Sequence, residues 1–469
     1  MKKISHFVDL LQRIAASPKF RVFVLGLFVA QAVFLVFAMH SGLPPDEDNQ
    51  MQFIEYYAEH SISPIFSHQT PTYNLGDVTR QVDYVYDYSM SLVMRVSPLS
   101  HHDDVYIIRL ISVALALLTF IMLLRILRIV GVGRATGNLS LLAVTNLPMV
   151  LMMSSAVNND VTVWLGTIAG VYFLLRLWRE HHPNDAMVLL IIAVFGGLVK
   201  RTLFPVCLIF GVTTIVMVVR YWPQLRAKIR RRDWRLIVLG VVFILGVGLF
   251  VERVGGNIVR YHTIVPTCTQ VQGANACKVF WQYQRKLDIA SDNPAAMERW
   301  LGDTAVDTVA KSPVSFVPLW TIESYSNIVD VQTDGWHHHI RPALWISVML
   351  LIAVLVTTAF GVIYDARRVK HDMQARWRLV MVGLATLIVV SELIVNYATY
   401  LHDHIFGLAL NGRYILPAVI LLAGLNFAYG RKLFGKTLGT VLAIAVIVCI
   451  IAGSGLMLMV QNPQLFTDT

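Results

Sequence analysis

The sequence predicts an all-α polytopic membrane protein with about eleven transmembrane helices and surface-lying helices in its outer loops. Three observations predict it. Of 469 residues, 56% are hydrophobic and only 14% charged, and the mean hydropathy is +0.60, too apolar for a soluble domain that must wet its surface. The apolar residues fall in long continuous runs rather than in alternation, which selects helices over barrel strands. Short polar or basic segments separate the runs.

In chain order the runs lie near 21–40, 105–127, 138–157, 160–178, 186–200, 202–219, 235–254, 343–363, 379–399, 413–429 and 438–460. Each approaches the roughly 20 residues a spanning helix needs. Lys200 and Arg201 divide the fifth run from the sixth, either at a tight reversal or within one broken helix. The first run follows Met1-Lys2-Lys3, is longer than a signal-peptide core and lacks a small-x-small cleavage site, so it reads as a retained anchor. Ahead of it Ile4, Phe7, Val8, Leu11 and Ile14 recur at helical spacing beside basic residues, which marks 1–20 either as an interfacial helix or as a frayed terminus.

Orientation follows from the basic residues, which are retained on the cytoplasmic side. The N-terminal segment and the segments 125–134, 176–179, 220–235, 367–378 and 431–436 hold 25 of the 39 Lys and Arg. The net charge of +10 is therefore chiefly a topology signal, with no nucleic-acid partner implied. The N-terminus is expected inside and the C-terminus outside. The chain divides into the segment 1–20, a transmembrane module 21–254 that includes a first outer loop 41–104, a large outer loop module 255–341, and C-terminal helices 342–469. No internal repeat or low-complexity linker interrupts this plan. Trp281, Tyr283, Trp300 and Trp320, with Pro294, Pro313 and Pro318, give the second loop the composition of short surface helices. Cys268 and Cys277 lie in it, where an oxidising compartment lets them pair. Cys207 and Cys449 sit in apolar runs as small hydrophobes.

Ionisable residues in hydrocarbon are costly and mark partners or function. Here Arg109, Asp160, Glu252, Glu392 and Arg413 cluster toward the outer ends of their runs, joined by Lys200 and Arg201. The midplane is left without Asp, Glu, Lys or Arg, which disfavours an ion-coupled transporter. After the first run, Pro44-Pro45-Asp46-Glu47-Asp48 leads into Met51, Phe53, Ile54, Tyr57 and Ala58 at helical spacing, opposite Gln52, Glu55 and Glu59. A short amphipathic helix is expected there, its acidic start favoured by exposed backbone N–H groups; capping alone accounts for that composition.

In this ordered set of features the sequence resembles the GT-C superfamily of integral-membrane glycosyltransferases. Those enzymes carry an acidic pair in the first outer loop, just after the first span and beside a surface helix, as Pro44 to Asp48 does here. Tyr84 to Arg95, Tyr106 to Ser112, and Val157-Asn158-Asn159-Asp160 look like the approach to the second span and the polar turn between spans three and four of bacterial members. Gly196 to Lys200 and Asn411 to Pro417 are similar to later segments of a bacterial branch. The resemblance covers most of the membrane region. It implies a GT-C-like fold, a polyprenyl-phosphate-linked sugar donor, an acceptor that is a glycan, lipid or protein, a site on the extracytoplasmic face of the plasma membrane, and inversion by single displacement.

Attack by a sugar hydroxyl needs a carboxylate to accept its proton, which makes Asp46 the candidate base and Glu47 its companion in the catalytic pair. Departure of a lipid phosphate needs fixed cations, which Lys200, Arg201 and Arg413 supply at the right depth; snorkelling to the interface explains the same residues. Asn159 and Asp160 line the crevice or cap the fourth helix, and His402 and His404 border the same face as candidate phosphate or sugar contacts. A divalent metal (Mg, Mn or Ca) is a candidate cofactor through Asp48, with His101, His102 and His337 as weaker ligands. The rival readings are a flippase of lipid-linked glycans, which needs no base, and an outer-leaflet glycan ligase or polymerase.

Overall fold

The computed structural model describes residues 2–40, 44, 46–60, 70–98, 101–229, 233–291, 312–329, 341–403 and 412–452. All regular structure among them is helical, as bilayer burial of backbone polar groups requires. Among the described residues eight helices are long and apolar enough to span a membrane, a bent pair makes a ninth, and two further apolar helices are shorter. Together these occupy the eleven apolar runs of the sequence.

The amphipathic segment is a helix, α1 (Lys2–Ala16), that tucks Val8 and Ala15 inward and leaves Phe7, Leu10 and Ile14 exposed. Ser17 and Pro18 separate it from α2 (Pro18–Ala38): the Ser17 hydroxyl accepts from Phe20 N, and Pro18 occupies the first helical turn, where its missing N–H costs nothing. The chain then runs through α3 (Glu47–His60), α4 (Val85–Val96) and the 29-residue α5 (His101–Ile129).

The run expected at 138–157 is not one straight span. It is α6 (Arg134–Thr145) and α7 (Pro148–Ser154), bent by 71°. Pro148 drives Leu147 out of the helical region, to φ −63° and ψ 128°. The groups released are satisfied locally: Asn146 donates to Leu142 O and accepts from Gln31 of α2, and the Ser155 hydroxyl donates to Ala32 O.

Next come α8 (Asp160–Glu180), α9 (Pro183–Val199), a 3-10 turn at Arg201–Leu203 and α10 (Phe204–Arg220). The corner at Lys200 is a tight reversal and not a broken span. Lys200 is extended, and α10 returns along α9, with the Cys207 thiol on Ile192 O. After α11 (Trp222–Lys228), α12 (Trp234–Phe250) continues beyond its expected end through a π turn, Val251–Gly255, into α13 (Gly256–Tyr261).

That extension anchors the first loop. Arg80 donates to Glu252 Oε1 at 2.7 Å and to Asn257 Oδ1 at 2.9 Å, while the Arg253 guanidinium lies 4.0 Å from the Tyr84 ring centre. Three short helices follow: α14 (Cys268–Gln272), α15 (Ala274–Cys277) and α16 (Trp281–Ala290). The Cys268–Cys277 disulfide joins the first two, and Trp281 N bonds Tyr73 O, tying this module to the first loop.

The second loop was expected to hold short surface helices. Instead α17 (Pro313–Val329) enters the main core, burying Phe316, Trp320 and Ile328, with Phe316 packed on Tyr397 and Tyr400. Spaced by four and eight residues, Phe316, Trp320 and Ile328 share one face of the helix, an apolar stripe that outweighs the internal Pro318. The chain closes with α18 (Arg341–Ala366), α19 (Met373–Asp403), a 3-10 turn at Gly412–Ile415, α20 (Leu416–Leu433) and α21 (Lys436–Ala452).

The core is threaded by α2, α5, α8 and α20: Phe28 meets Phe120 edge-on at 5.0 Å, Trp164 is fully buried, and Gly424 admits the Leu127 side chain where a Cβ would lie 2.4 Å from it. The end of the bundle carrying the basic segments is pinned by Arg378, which pairs with both oxygens of Asp365 at 2.7 and 2.8 Å and donates to Val130 O. Tyr429 OH donates to the same carboxylate at 2.6 Å. Four helices meet in that network. Arg378→Ala, which strands Asp365 as a buried charge, is expected to cost about 3–5 kcal/mol, whereas Tyr429→Phe should cost roughly 1–3 kcal/mol. Equilibrium unfolding in detergent checks the order; equal, small losses would make the network dispensable.

Candidate functional site

The opposite end of the bundle holds most of the charged residues that the sequence placed near span ends. Its foundation is a fully buried ion pair. Arg109, one residue into the third turn of α5, receives Glu47 at 2.9 Å through Nε and again through its second arm. Its remaining donors go to Val36 O, Met39 O and His40 O, the carbonyls that end α2. Glu47 Oε1 also accepts from Val157 N at 2.8 Å, in the turn before α8. One carboxylate therefore joins α2, α3, α5 and the α7–α8 turn. Glu47 is accordingly a positioning group here: it does not line the cavity described below.

The preceding residue is placed differently. Asp46 has φ 64°, a left-handed conformation that Asp tolerates better than most residues. The turn sends Glu47 into the protein and Asp46 to the neighbouring cavity. The Asp46 carboxylate is partly exposed and ion-paired with the buried Arg413, which rides on the 3-10 turn ahead of α20. Arg413 Nε stands 3.6 Å from Asp160 Oδ2, and Asp160 Oδ1 accepts from Lys200 Nζ. Tyr414 completes the group: its hydroxyl accepts from Arg413 at 3.2 Å and its ring lies 4.8 Å below Lys200 Nζ. The result is an alternating chain, Asp46, Arg413, Asp160, Lys200, assembled from four separate parts of the sequence. Burial opposes the charge on Asp46, but Arg413 and then Lys200 outweigh it and hold the carboxyl below its usual value of 3.8.

This chain opens into a cavity of about 800 Å³, lined by Asp46, Asn159, Lys200, Arg201 and Tyr414. Phe280, Trp281, Tyr283 and Lys286 also line it, with Arg285 5.1 Å from the Trp281 ring centre. The lining therefore combines charged and amide side chains with aromatic ones.

Asn159 occupies the cap position of α8 without capping through its side chain; the Asn158 side chain bonds Asp160 N instead, at 2.7 Å. Asp160 belongs to the ion chain, so capping does not account for it. Arg201 is largely exposed, with Nε 3.4 Å from Asp83. Glu392 of α19 is buried and electrostatically coupled to Lys200 and Asp160. Asp48 is exposed in the first turn of α3. His337 and His404 lie outside the described residues, as do the side chains of His101, His102 and His402. Among the described residues no group of three His, Cys, Asp or Glu side chains is arranged to hold a metal ion. Asp46 and Asp160 each face a cation, which gives this donor set the character of an anion site.

Sequence reasoning passed over Asp83 and Asp87. Asp83 lines the cavity, and Asp87 is buried behind it on α4. Burial pushes the Asp87 carboxyl well above the usual carboxylate range, the Asp83 charge adds to this, and Lys200 only partly offsets it. Both lie outside the apolar runs, where a carboxylate carries no depth signal.

A family model described as a predicted membrane protein (DUF2142) matches residues 44–422. The chain belongs to this family. The DUF2142 match opens at Pro44, immediately before Asp46 and Glu47, and closes inside α20, so it contains the whole ion chain and the cavity lining. No curated protein matches the sequence.

Glu47→Gln leaves Arg109 without a counter-charge in the interior and is expected to destabilise the protein by about 3–5 kcal/mol, whereas Asp46→Asn at the partly exposed pair should cost less than about 1 kcal/mol. Denaturation midpoints of the two variants, compared in one detergent, separate the roles; a reversal of the order would refute them. For pH, a depressed carboxyl stabilises the fold above its unfolded value and loses that contribution as pH falls through the lower folded value. The Asp46–Arg413 pair should therefore hold unchanged across neutral pH and open only below 3.8, which the ring resonances of Tyr414 can report during an acid titration.

Proposed function

We propose that this protein is an inverting glycosyltransferase that moves a sugar from a polyprenyl-phosphate donor to a glycan, lipid or protein acceptor on the extracytoplasmic face of the plasma membrane. The observation that carries the reading is the ion pair between Asp46, which lines the cavity, and the buried Arg413 behind it, backed by Lys200 and Asp160. A proton acceptor and two cations for a leaving phosphate stand within one ion network, where the spans end.

In the proposed step the acceptor hydroxyl oxygen forms a bond to the anomeric carbon while the bond from that carbon to the phosphate oxygen breaks. The electron pair leaves with the lipid phosphate and the proton goes to Asp46. Arg413 and Lys200 take the growing negative charge. The donor phosphate also competes with Asp46 for Arg413, so binding frees the carboxylate at the moment it is needed. Asp83, Asn159 and Trp281 are placed to orient the two sugars. Of the carboxylates that line the cavity, Asp46 pairs with Arg413 and Asp83 with Arg201.

Two features support the sidedness. The basic segments 125–134, 367–378 and 431–436 meet at the other end of the bundle, through Arg378 on Val130 O and Arg431 on Thr136, as cytoplasmic retention of positive charge favours. The disulfide lies on the cavity side, as an oxidising compartment favours.

Asp46→Asn should lower transfer about 10²–10⁴-fold with the fold intact, and Arg413→Ala should raise the donor KM. The measurement is mass spectrometry of polyprenyl-phosphate sugars and envelope glycans from cells holding matched membrane levels of each variant. Accumulated donor and one missing glycan decoration support transfer. A normal profile with Asp46→Asn, where deletion of the gene alters it, would hand the site to a flippase of lipid-linked glycans.

A further inference from the structure

A second cavity, of about 460 Å³, lies at the end of the bundle opposite the ion chain, between α1, the start of α6 and the α20–α21 corner. Arg13, Arg134, Arg431 and Lys436 converge on it from separate elements, with Asp9 as the acid among its lining residues. Lys436 pairs with Asp9 at 2.8 Å. Arg13, Arg134 and Arg431 have no carboxylate at ion-pair distance among the described residues. Arg431 gives one arm to Thr136 Oγ1 at 2.7 Å, and its buried Nε has no acceptor among the described residues. The first turn of α6 contains no acidic residue, and its cap, Gly133, offers no side chain to the helix N–H groups that border the cavity. A topology signal requires only positive charges in a loop; it does not require three guanidinium groups lining one open pocket around an unsatisfied donor.

We propose that this cavity binds a phosphate oxyanion, carried by the headgroup of an anionic phospholipid or supplied as free phosphate. Guanidinium groups present paired N–H donors that match phosphate oxygens, and the helix start adds backbone donors and a favourable dipole. The wall formed by α1 favours the lipid source. Its exposed Phe7, Leu10 and Ile14 suit burial among acyl chains while Arg13 reaches the headgroup level. The site is independent of the proposed transfer chemistry.

The full chain in phosphatidylcholine nanodiscs, titrated with fluorescent phosphatidylglycerol, tests it. Binding should be at least about tenfold tighter than for labelled phosphatidylcholine, and the double variant Arg134→Gln/Arg431→Gln should abolish that preference. If that variant fails to fold, Arg13→Gln/Lys436→Gln, which alters exposed side chains, should weaken the same binding. Competition by millimolar inorganic phosphate, lost in the variant, identifies a free-anion site; a preference insensitive to phosphate identifies the lipid headgroup. Equal affinity for the two lipids together with no variant-sensitive phosphate competition, or an unchanged preference in a folded double variant, overturns the proposal.

Discussion

The cavity end of this protein depends on the buried pair of Glu47 and Arg109. Removing two charges from water costs several kcal/mol each, and the cost is offset here because both groups are fully used. Arg109 serves Glu47 and three carbonyls at the end of α2; Glu47 serves Arg109 and the Val157 amide. Those carbonyls and that amide have lost their helical partners and have no water to turn to at this depth. The pair thus solves four helix-end problems at once. It also fixes the start of α3, and with it the direction in which Asp46 must point.

Two adjacent acids consequently live in different electrostatic settings. Glu47 is held inside, while Asp46, turned through a left-handed backbone, meets Arg413 at the cavity. The ion chain that follows alternates in sign, so each member finds its counter-charge from another helix. In a low-dielectric setting such a chain is strongly attractive, and it tolerates a missing member least at its buried links, Arg413 and Asp160, and most at the partly exposed Asp46. An incoming anion changes the arrangement most easily where solvent already reaches, at Asp46. On the proposed reading, that is why the carboxylate with a depressed pKa still serves as a base: the phosphate that binds Arg413 displaces it.

The membrane runs were legible because hydrocarbon demands continuous apolar helices, and the basic segments were legible because they gather at one end. Asn146-Leu147-Pro148 was read through as part of a span, since its polar side chain is satisfied by Gln31 of another helix, which no local pattern reveals. The stripe of Phe316, Trp320 and Ile328 was obscured by Pro318 and by the polar composition around it. At the site, the apolar spans made Arg109, Asp160, Lys200 and Arg413 conspicuous. Which of Asp46 and Glu47 faces inward was not legible, because adjacent residues differ by about 100° around a helix and the first residue of α3 sets the phase. Asp83 and Asp87 were lost for the opposite reason: in a polar loop an acid has nothing to stand out against.

The two ends of the bundle treat charge by opposite rules, and the difference has a physical origin. At the cavity end each cation of the chain meets an anion from another part of the sequence, so the chain is near neutral by itself. At the other end Arg378 and Asp365 neutralise each other within the helix packing, while Arg13, Arg134 and Arg431 have no carboxylate at ion-pair distance among the described residues and the one acid lining their pocket, Asp9, pairs with Lys436. Uncompensated charge at a bundle end is tolerable only where headgroups, water or an anion can answer it. A site built for exchange must hold its own counter-ions; a surface that rests on anionic lipid borrows them. The same three kinds of residue, Arg, Lys and Asp, therefore produce a self-neutralised ion chain at one end and an excess of positive charge at the other, according to whether the matching carboxylates come from the protein.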